Sequence, residues 1–435
     1  MMWNELIVII GSSLLGIGSA AIGCFALLRR RALAGDAVAH AALPGVAVAF
    51  LLAGKNPAAL LGGAAATGWL SMASVDAIVR RSSIREDGAI GIVLSVFFGL
   101  GILLITHIQA GGSAAQSGLN TFLFGQAAAL LPEDLWVFGG VSLVLVLGIL
   151  LLYKEFALLS FDRDYAATSG LPVRRLELAM TTMIVLAVVS GLQAVGVVLM
   201  AAMLIAPAAA ARYWTDRLPV MIGLAIFFGI VSGVAGALIS ASGRAMPTGP
   251  WIITAATACV LLSMLFAPRR GVLARALRRK RYQRRAEEEN VLKAMHHLGE
   301  RDGRPMESRS IDEIRAVRPF SSDQLGSALR RLLGDRFVER LADGRWRFTA
   351  EGARQGERVT RLHRLWEVYL TEHLQLALDH VHDDAESIEH ILTPELEQEL
   401  QQLLDHPAVD PHSRSIPYTG SAPNTTEIRS GEEPE

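Results

Sequence analysis

The chain has 435 residues, 51 % of them apolar, with 41 basic and 42 acidic side chains and a formal charge of −1. That near-zero charge averages an apolar, Gly- and Ala-rich first three-fifths and a polar, charged remainder, so it says little about partners, while the length exceeds one ordinary domain. Cys24 and Cys259 both lie in apolar runs, which excludes a disulfide framework or a CxxC metal site.

Apolar runs long enough to cross a bilayer, at roughly 20 residues each, fall at 4–27, 38–54, 57–79, 89–107, 134–153, 177–193, 194–212, 218–241 and 250–267. The first lacks a basic flank and an A-x-A-like cleavage site and reads as a retained span. The boundary between the sixth and seventh rests only on Gly191–Gly196. Arg29–Arg31, Arg80-Arg81, Lys154, Arg174-Arg175, Arg212, Arg217 and Arg269-Arg270 all fall on one side under a nine-span count, with only Lys55 and Arg244 opposite. Basic loops face the cytoplasm. The N terminus is therefore expected outside and the polar C-terminal region in the cytoplasm.

Asp36 and His40 stand four residues apart where the second run begins, on one helix face. An ionisable side chain at membrane depth costs at least about 2.5–3.5 kcal/mol unless it faces protein or water. Carboxylate and imidazole together suit a divalent transition metal, and two ligands per chain suit an ion that must be released. The competing reading has Asp36 as an N-cap and His40 hydrogen-bonded within the bundle. Asp76, Glu86 and Asp87 read as partners of neighbouring arginines or as contacts to a partner protein, and not as ligands. The glycines at 62, 63, 68, 229 and 233 read as close helix packing. Asn120–Gln126 is too short to span and fits a half-helix.

Between the fifth and sixth runs, Asp162 can cap a short helix, Gly170 can end it, and Pro172 prevents its continuation. Local chemistry leaves two readings open: a helix that docks into another protein, or an amphipathic connector.

Past the last run, Arg269–Arg285 reads as a basic anchor against anionic lipid, with nucleic-acid contact as the alternative. Ser310–Ile314 and Ser321–Leu333 start helices, and Val338–Leu341 and Trp346–Thr349 flank Ala342-Asp343-Gly344-Arg345, a hairpin signal. This is a winged-helix pattern whose 322–334 segment is the would-be recognition helix, with Ser322, Gln324, Arg330 and Arg331 as candidate DNA contacts and a protein-docking wing as the other reading. Behind it, His363 with Glu367, and His382, Glu386 and His390 with Glu389 beside them, form an imidazole–carboxylate stripe suited to manganese, iron or zinc. A solvated acidic helix is its bland counterpart. The end, from about Tyr418, is Ser-, Thr-, Pro- and Glu-rich and is expected to be disordered.

Gly35–Gly45 resembles the signature of permease subunits of zinc/manganese/iron ABC importers. Arg85–Ile92, Leu123–Gly125, Ser160–Asp162 and Leu204–Ala209 are similar to that family's later blocks, so the resemblance covers nearly all of 1–267. It implies a homodimeric or paired permease with a central metal path, an ATPase subunit below and an extracytoplasmic metal-binding protein above. On it, Asp36 and His40 line the path, and Asp162, Ala166, Gly170 and Leu171 belong to an ATPase-coupling helix. The chain contains no GxxxxGK[ST] phosphate loop, as expected of a non-enzymatic transport subunit.

Residues 289–417 resemble metal-dependent repressors of the diphtheria-toxin-repressor type, through Arg361–Leu365, Val381–Glu386, Ile388–His390 and Pro411–Pro417. By position, His363, Glu386, Glu389 and His390 match core ligands, and Glu367 and His382 ancillary ones. A Glu at 386 resembles the manganese-responsive branch. Asn290 and Lys293 depart from that pattern: asparagine offers only a carbonyl oxygen, and a charged lysine cannot ligate.

The expectation is an all-α polytopic protein of the bacterial inner membrane, about nine spans over 1–267. A basic linker (268–287), a winged helix (288–353), a helical metal-binding and dimerisation domain (354–417) and a tail (418–435) follow. Its expected work is ATP-driven import of manganese, zinc or iron, regulated by a cytoplasmic metal sensor binding manganese or iron, with zinc as the alternative. The alternatives are a membrane-tethered, metal-responsive DNA-binding regulator and an ATP-independent carrier.

Overall fold

The computed structural model describes residues 2–31, 33–54, 56–110, 130–243, 246–374 and 394–418. The chain divides into two compact units, Met1–Arg275 and Ala276–Glu435.

The first unit is entirely helical among the described residues. Its helices are α1 (Met2–Leu28), α2 (Ala34–Ala53), α3 (Pro57–Arg81), α4 (Glu86–Ala110), α5 (Pro132–Leu151), α6 (Tyr153–Phe161), α7 (Arg163–Thr168), α8 (Val173–Val195), α9 (Val197–Trp214), α10 (Leu218–Ser242) and α11 (Thr248–Phe266). Eight of them, α1 to α5, α8, α10 and α11, are long and apolar enough to cross a bilayer. The expected span at 194–212 is α9, and the uncertain boundary before it is a real break at Gly196, whose φ of 91° favours glycine.

Ion pairs gather the helix ends. Arg29 and Arg163 share Glu177 at 2.8 and 3.0 Å, Arg31 bridges Asp76 at 3.3 Å and Glu86 at 2.7 Å, and Arg212 meets Asp216 at 2.9 Å. Leu27, Arg212 and Arg270 line one pocket, so the ends of α1 and α9 and the residues after α11 lie at the same face. With the start of α8 also there, α8 and α9 must run out and back. The acidic residues expected to serve these arginines do so at Asp76 and Glu86.

Bare backbone lets the helices approach closely. A Cβ on Gly45 would lie 2.0 Å from the Gly63 carbonyl oxygen, and one on Gly63 2.3 Å from that of Gly45. Gly16 and Gly229 are reciprocal in the same way, at 2.6 Å each. Gly62, expected to pack, has open space around it. The core between these contacts is built from side chains such as Phe25, Val38, Leu43, Met72, Leu192 and Leu204.

In the second unit, α12 (Val272–Asp302), α13 (Ile311–Val317) and α14 (Ser322–Gly334) precede β1 (Val338–Arg340) and β2 (Trp346–Phe348), and α15 (Ala350–Glu372) and α16 (Pro394–Leu403) follow. The strands pair antiparallel with Val338 opposite Phe348. Helix, helix, helix, hairpin is the order the sequence pattern predicts for a winged helix. Ser310 with Glu313 and Ser321 with Gln324 form capping boxes, which fix where α13 and α14 begin. The apolar stripes of α12 and α14 then meet through Leu292, Met295, Leu325 and Leu329 against Trp346 and Phe348. A second cluster packs Leu365 and Val368 against Leu400, Leu404 and Ile416. Tyr418 belongs to this fold and not to the tail: its hydroxyl donates to the Pro407 carbonyl at 2.9 Å.

Candidate metal sites and the short helix between two spans

The first turn of α2 carries Asp36, and the helix starts two residues earlier than that aspartate, at Ala34. Leu33 occupies the N-cap position and no side chain caps the helix, so the capping alternative for Asp36 does not hold. His40 Nε2 stands 3.4 Å from Asp36 Oδ1, with the two side chains 17 % and 34 % exposed. The imidazole stands perpendicular to the Phe98 ring of α4, centroids 5.0 Å apart, and its Nδ1 is buried without a hydrogen-bond partner. Gly35 beside them lets α2 lie against α9, since a Cβ there would come within 2.8 Å of Leu204. The result is one nitrogen and one carboxylate oxygen, close together and partly accessible. That pair can take a divalent cation transiently without enclosing it.

Asp162 N-caps α7 by accepting from the Tyr165 N–H at 2.8 Å. At the other end Gly170 adopts φ 81°, and Gly170 N and Leu171 N donate to Ala167 O and Ala166 O at 3.1 and 3.2 Å, a Schellman ending. Ala166 is buried and anchors the helix, while Phe161 and Tyr165 are 65 % and 58 % exposed. Arg163 ties this exposed helix to Glu177 of α8, and the bond to that carboxylate raises the arginine's pKa.

In the second unit the ligating atoms of Glu367, Asp410 and His412 lie within 4.8 Å of one another. Glu367 and Asp410 are buried, at 2 % and 4 % exposure, and Asp410 Oδ2 has no hydrogen-bond partner. Arg364 Nε stands 3.7 Å from that oxygen, an ion pair without a hydrogen bond, and two buried carboxylates with an imidazole beside them offer donors suited to a divalent cation. Asp410 is aimed by its own turn: its Oδ1 accepts from the N–H groups of His412 and Arg414 at 2.9 and 2.7 Å, beside the Val409–Ser415 bridge. Asp410 and His412 escaped the sequence reading because no helical spacing links them to Glu367. The only signal was their place in or beside the Pro411–Pro417 block.

His363, expected as a core ligand, has a charged partner at each nitrogen. Nε2 stands 3.2 Å from Glu367 Oε1, and Nδ1 stands 3.4 Å from Lys293 Nζ. The Asn290 carbonyl oxygen accepts from Arg318 at 3.0 Å. His382, Glu386, Glu389 and His390 lie outside the described residues, as do the Leu123–Gly125 block, the proposed half-helix at 120–126 and the tail beyond Tyr418. Beside the site, Arg364 clamps Glu300 through both guanidinium ends at 2.8 and 2.6 Å. With His296 also bonding Glu300, that carboxyl is held down to about 2 against the effect of burial. Burial, with Arg364 nearby, pushes His297 down to about 4.

Of the candidate DNA contacts, Ser322 and Arg330 are exposed. Gln324 is engaged in its capping box, and Arg331 is tied to Glu287 at 2.9 Å and to Glu288. The helix therefore presents less free positive charge than its sequence implies.

Residues 4–267 match the ABC 3 transport family, and the chain belongs to that family. Residues 349–418 match the iron dependent repressor metal binding and dimerisation domain. The manganese transport system membrane protein MntC of Bacillus subtilis is 46 % identical over 85 % of each chain. The zinc transport system membrane protein TroC of Treponema pallidum is 47 % identical over 63 % of this chain and 92 % of its own. Among solved structures, PsaBC from Streptococcus pneumoniae, in complex with Fab, is 34 % identical with a TM-score of 0.56, covering 63 % of this chain and 94 % of that one. The protein is thus a multi-pass membrane permease carrying a repressor-type metal-binding domain.

Proposed function

We propose that the chain is the permease subunit of an ATP-driven importer whose cargo is a divalent transition-metal ion, manganese first, with zinc and iron as the competing cargoes. The observation that carries this reading is the Asp36–His40 pair, a carboxylate and an imidazole 3.4 Å apart on a membrane helix with a buried ring nitrogen left without a partner. Relatives named for manganese and zinc transport support the same cargo class. A separate ATPase subunit would receive α7, and an extracytoplasmic binding protein would deliver the ion. Two copies of the permease, or this chain with a related one, would enclose the path. Closure of the ATPase pair would pull on α7, and Arg163 would pass that displacement through Glu177 to α8 and, through Arg29, to α1.

The second unit would act as the cytoplasmic sensor. Glu367, Asp410 and His412 would hold a manganese or iron ion there, zinc being the alternative, with His382, Glu386, Glu389 and His390 as further ligands by resemblance. Bound metal supplies a positive charge that neutralises the buried carboxylates. For feedback, that binding must differ in free energy between transporting and resting states. The pairing of Arg331 with Glu287 and Glu288 favours regulation of transport over operator binding. The test is uptake by cells carrying the permease with its ATPase: changing Asp36 or His40 should cut uptake by roughly tenfold or more, while changing Asp410 should leave it active at high internal metal. Uptake independent of both Asp36 and His40 would overturn the transport reading.

A further inference from the structure

Lys293 is 4 % exposed, on the α12 turn that also carries His297 and packs against α15. Its Nζ lies 3.4 Å from His363 Nδ1, and the other nitrogen of that imidazole is 3.2 Å from Glu367. One imidazole therefore separates a lysine ammonium from a carboxylate of the Glu367–Asp410–His412 group. Lys293 contributes nothing a metal can bind.

We propose that Lys293 sets the affinity of the cytoplasmic metal site, its ammonium acting as a resident cation that competes with the divalent ion. This rests on the reading of Glu367, Asp410 and His412 as that site. Without metal, two buried carboxylates lie close together; Arg364, 3.7 Å from Asp410 Oδ2, offsets one of them, and the Lys293 ammonium adds a second positive charge on the Glu367 side. When a dication enters, the same ammonium repels it across a medium far less screening than water. The apo site is stabilised and the loaded site weakened, so half-occupancy shifts to higher metal. Such a sensor stays silent during ordinary import and responds only when the ion accumulates. His363 is then a positioning residue, with one nitrogen toward the ammonium and the other toward Glu367.

The test is equilibrium dialysis of the full-length chain in detergent against radiolabelled manganese. An Asp36→Asn background removes the membrane pair from the count. Lys293→Met should tighten manganese binding roughly tenfold or more, and Lys293→Arg, which keeps the charge, should bind within about threefold of the parent. A merely structural lysine would give the opposite result for Lys293→Met, weaker binding from a loosened site. Unchanged or weaker binding by Lys293→Met overturns the proposal, and loss of the ion by Asp410→Asn in the same series shows that the site itself stands. If Asp410→Asn binds like its parent, the site reading fails and the proposal with it. Should Lys293→Met not fold, Lys293→Gln removes the same charge with a polar end, and the same tightening is required of it.

Discussion

Arg163 of α7 donates to Glu177 of α8 at 3.0 Å, so the exposed cytoplasmic helix is bonded to a membrane helix by one carboxylate that Arg29 of α1 also holds. An exposed pair of this kind is worth about 0–1 kcal/mol in stability. Its value lies in direction: it is the polar link from the helix to two spans. Glu177→Gln should leave the permease in the membrane and associated with its ATPase, yet lower the ions moved per ATP hydrolysed in proteoliposomes. An unchanged ratio would assign the coupling elsewhere.

The His40 ring stands perpendicular to that of Phe98, with centroids 5.0 Å apart. If Asp36 and His40 hold the cargo as proposed, His40→Ala and Asp36→Asn should each cut metal uptake by roughly tenfold or more while protein levels hold, because each weakens a site built from this pair. Immunoblotting beside uptake separates lost chemistry from lost folding.

Asp410→Asn keeps the shape of the turn and its hydrogen-bond acceptor but removes a buried charge. Internal metal should rise past its usual plateau in cells carrying it, and the same should hold for Glu367→Gln. A plateau identical to the parent's would remove these residues from feedback.

The cytoplasmic unit should lose stability in mild acid. His297 is held down to about 4 from an ordinary 6.5 by burial and by Arg364. A histidine whose folded pKa is depressed binds its proton more readily when unfolded, so its contribution is full above 6.5 and gone by about 4. The loss is on the order of 3 kcal/mol over that window. Glu300, at about 2 in the fold against 4.5, loses its contribution only below 4.5, in the same direction. Protection factors along α12, with the intrinsic pH dependence of amide exchange divided out, should fall between pH 6.5 and 4, and His297→Gln should flatten that dependence.

The α2–α3 contact should not tolerate a side chain. Gly63→Val places carbon where the Gly45 carbonyl already stands, at 2.3 Å for Cβ alone. Thermal unfolding of the purified permease should shift down by an amount reflecting about 1–3 kcal/mol of overpacking. Gly62→Ala, with nothing near it, should behave as the parent.

The span order, the short helix at 163–168 and the hairpin were legible because each has a local cause: apolar runs, Asp162 as cap, Gly170 as terminator, Asp343-Gly344 as turn. The resemblance placed Asp36 and His40, and spacing put them on one face. What stayed hidden depended on distant parts of the chain meeting. Asp410 and His412 reach Glu367 from more than forty residues away through a loop with no periodicity. Likewise, only the fold shows that Lys293 faces His363, and that Arg331 is taken up by Glu287 and Glu288.

The most direct test of the account is competitive uptake of radiolabelled manganese by cells expressing the chain with its ATPase and binding protein. The parent, Asp36→Asn and His40→Ala should be compared under excess zinc or iron. Saturable, ATP-dependent manganese uptake that both variants lose is the expected result. Uptake that survives ATP depletion, or that both variants retain at the parent's rate, would contradict it.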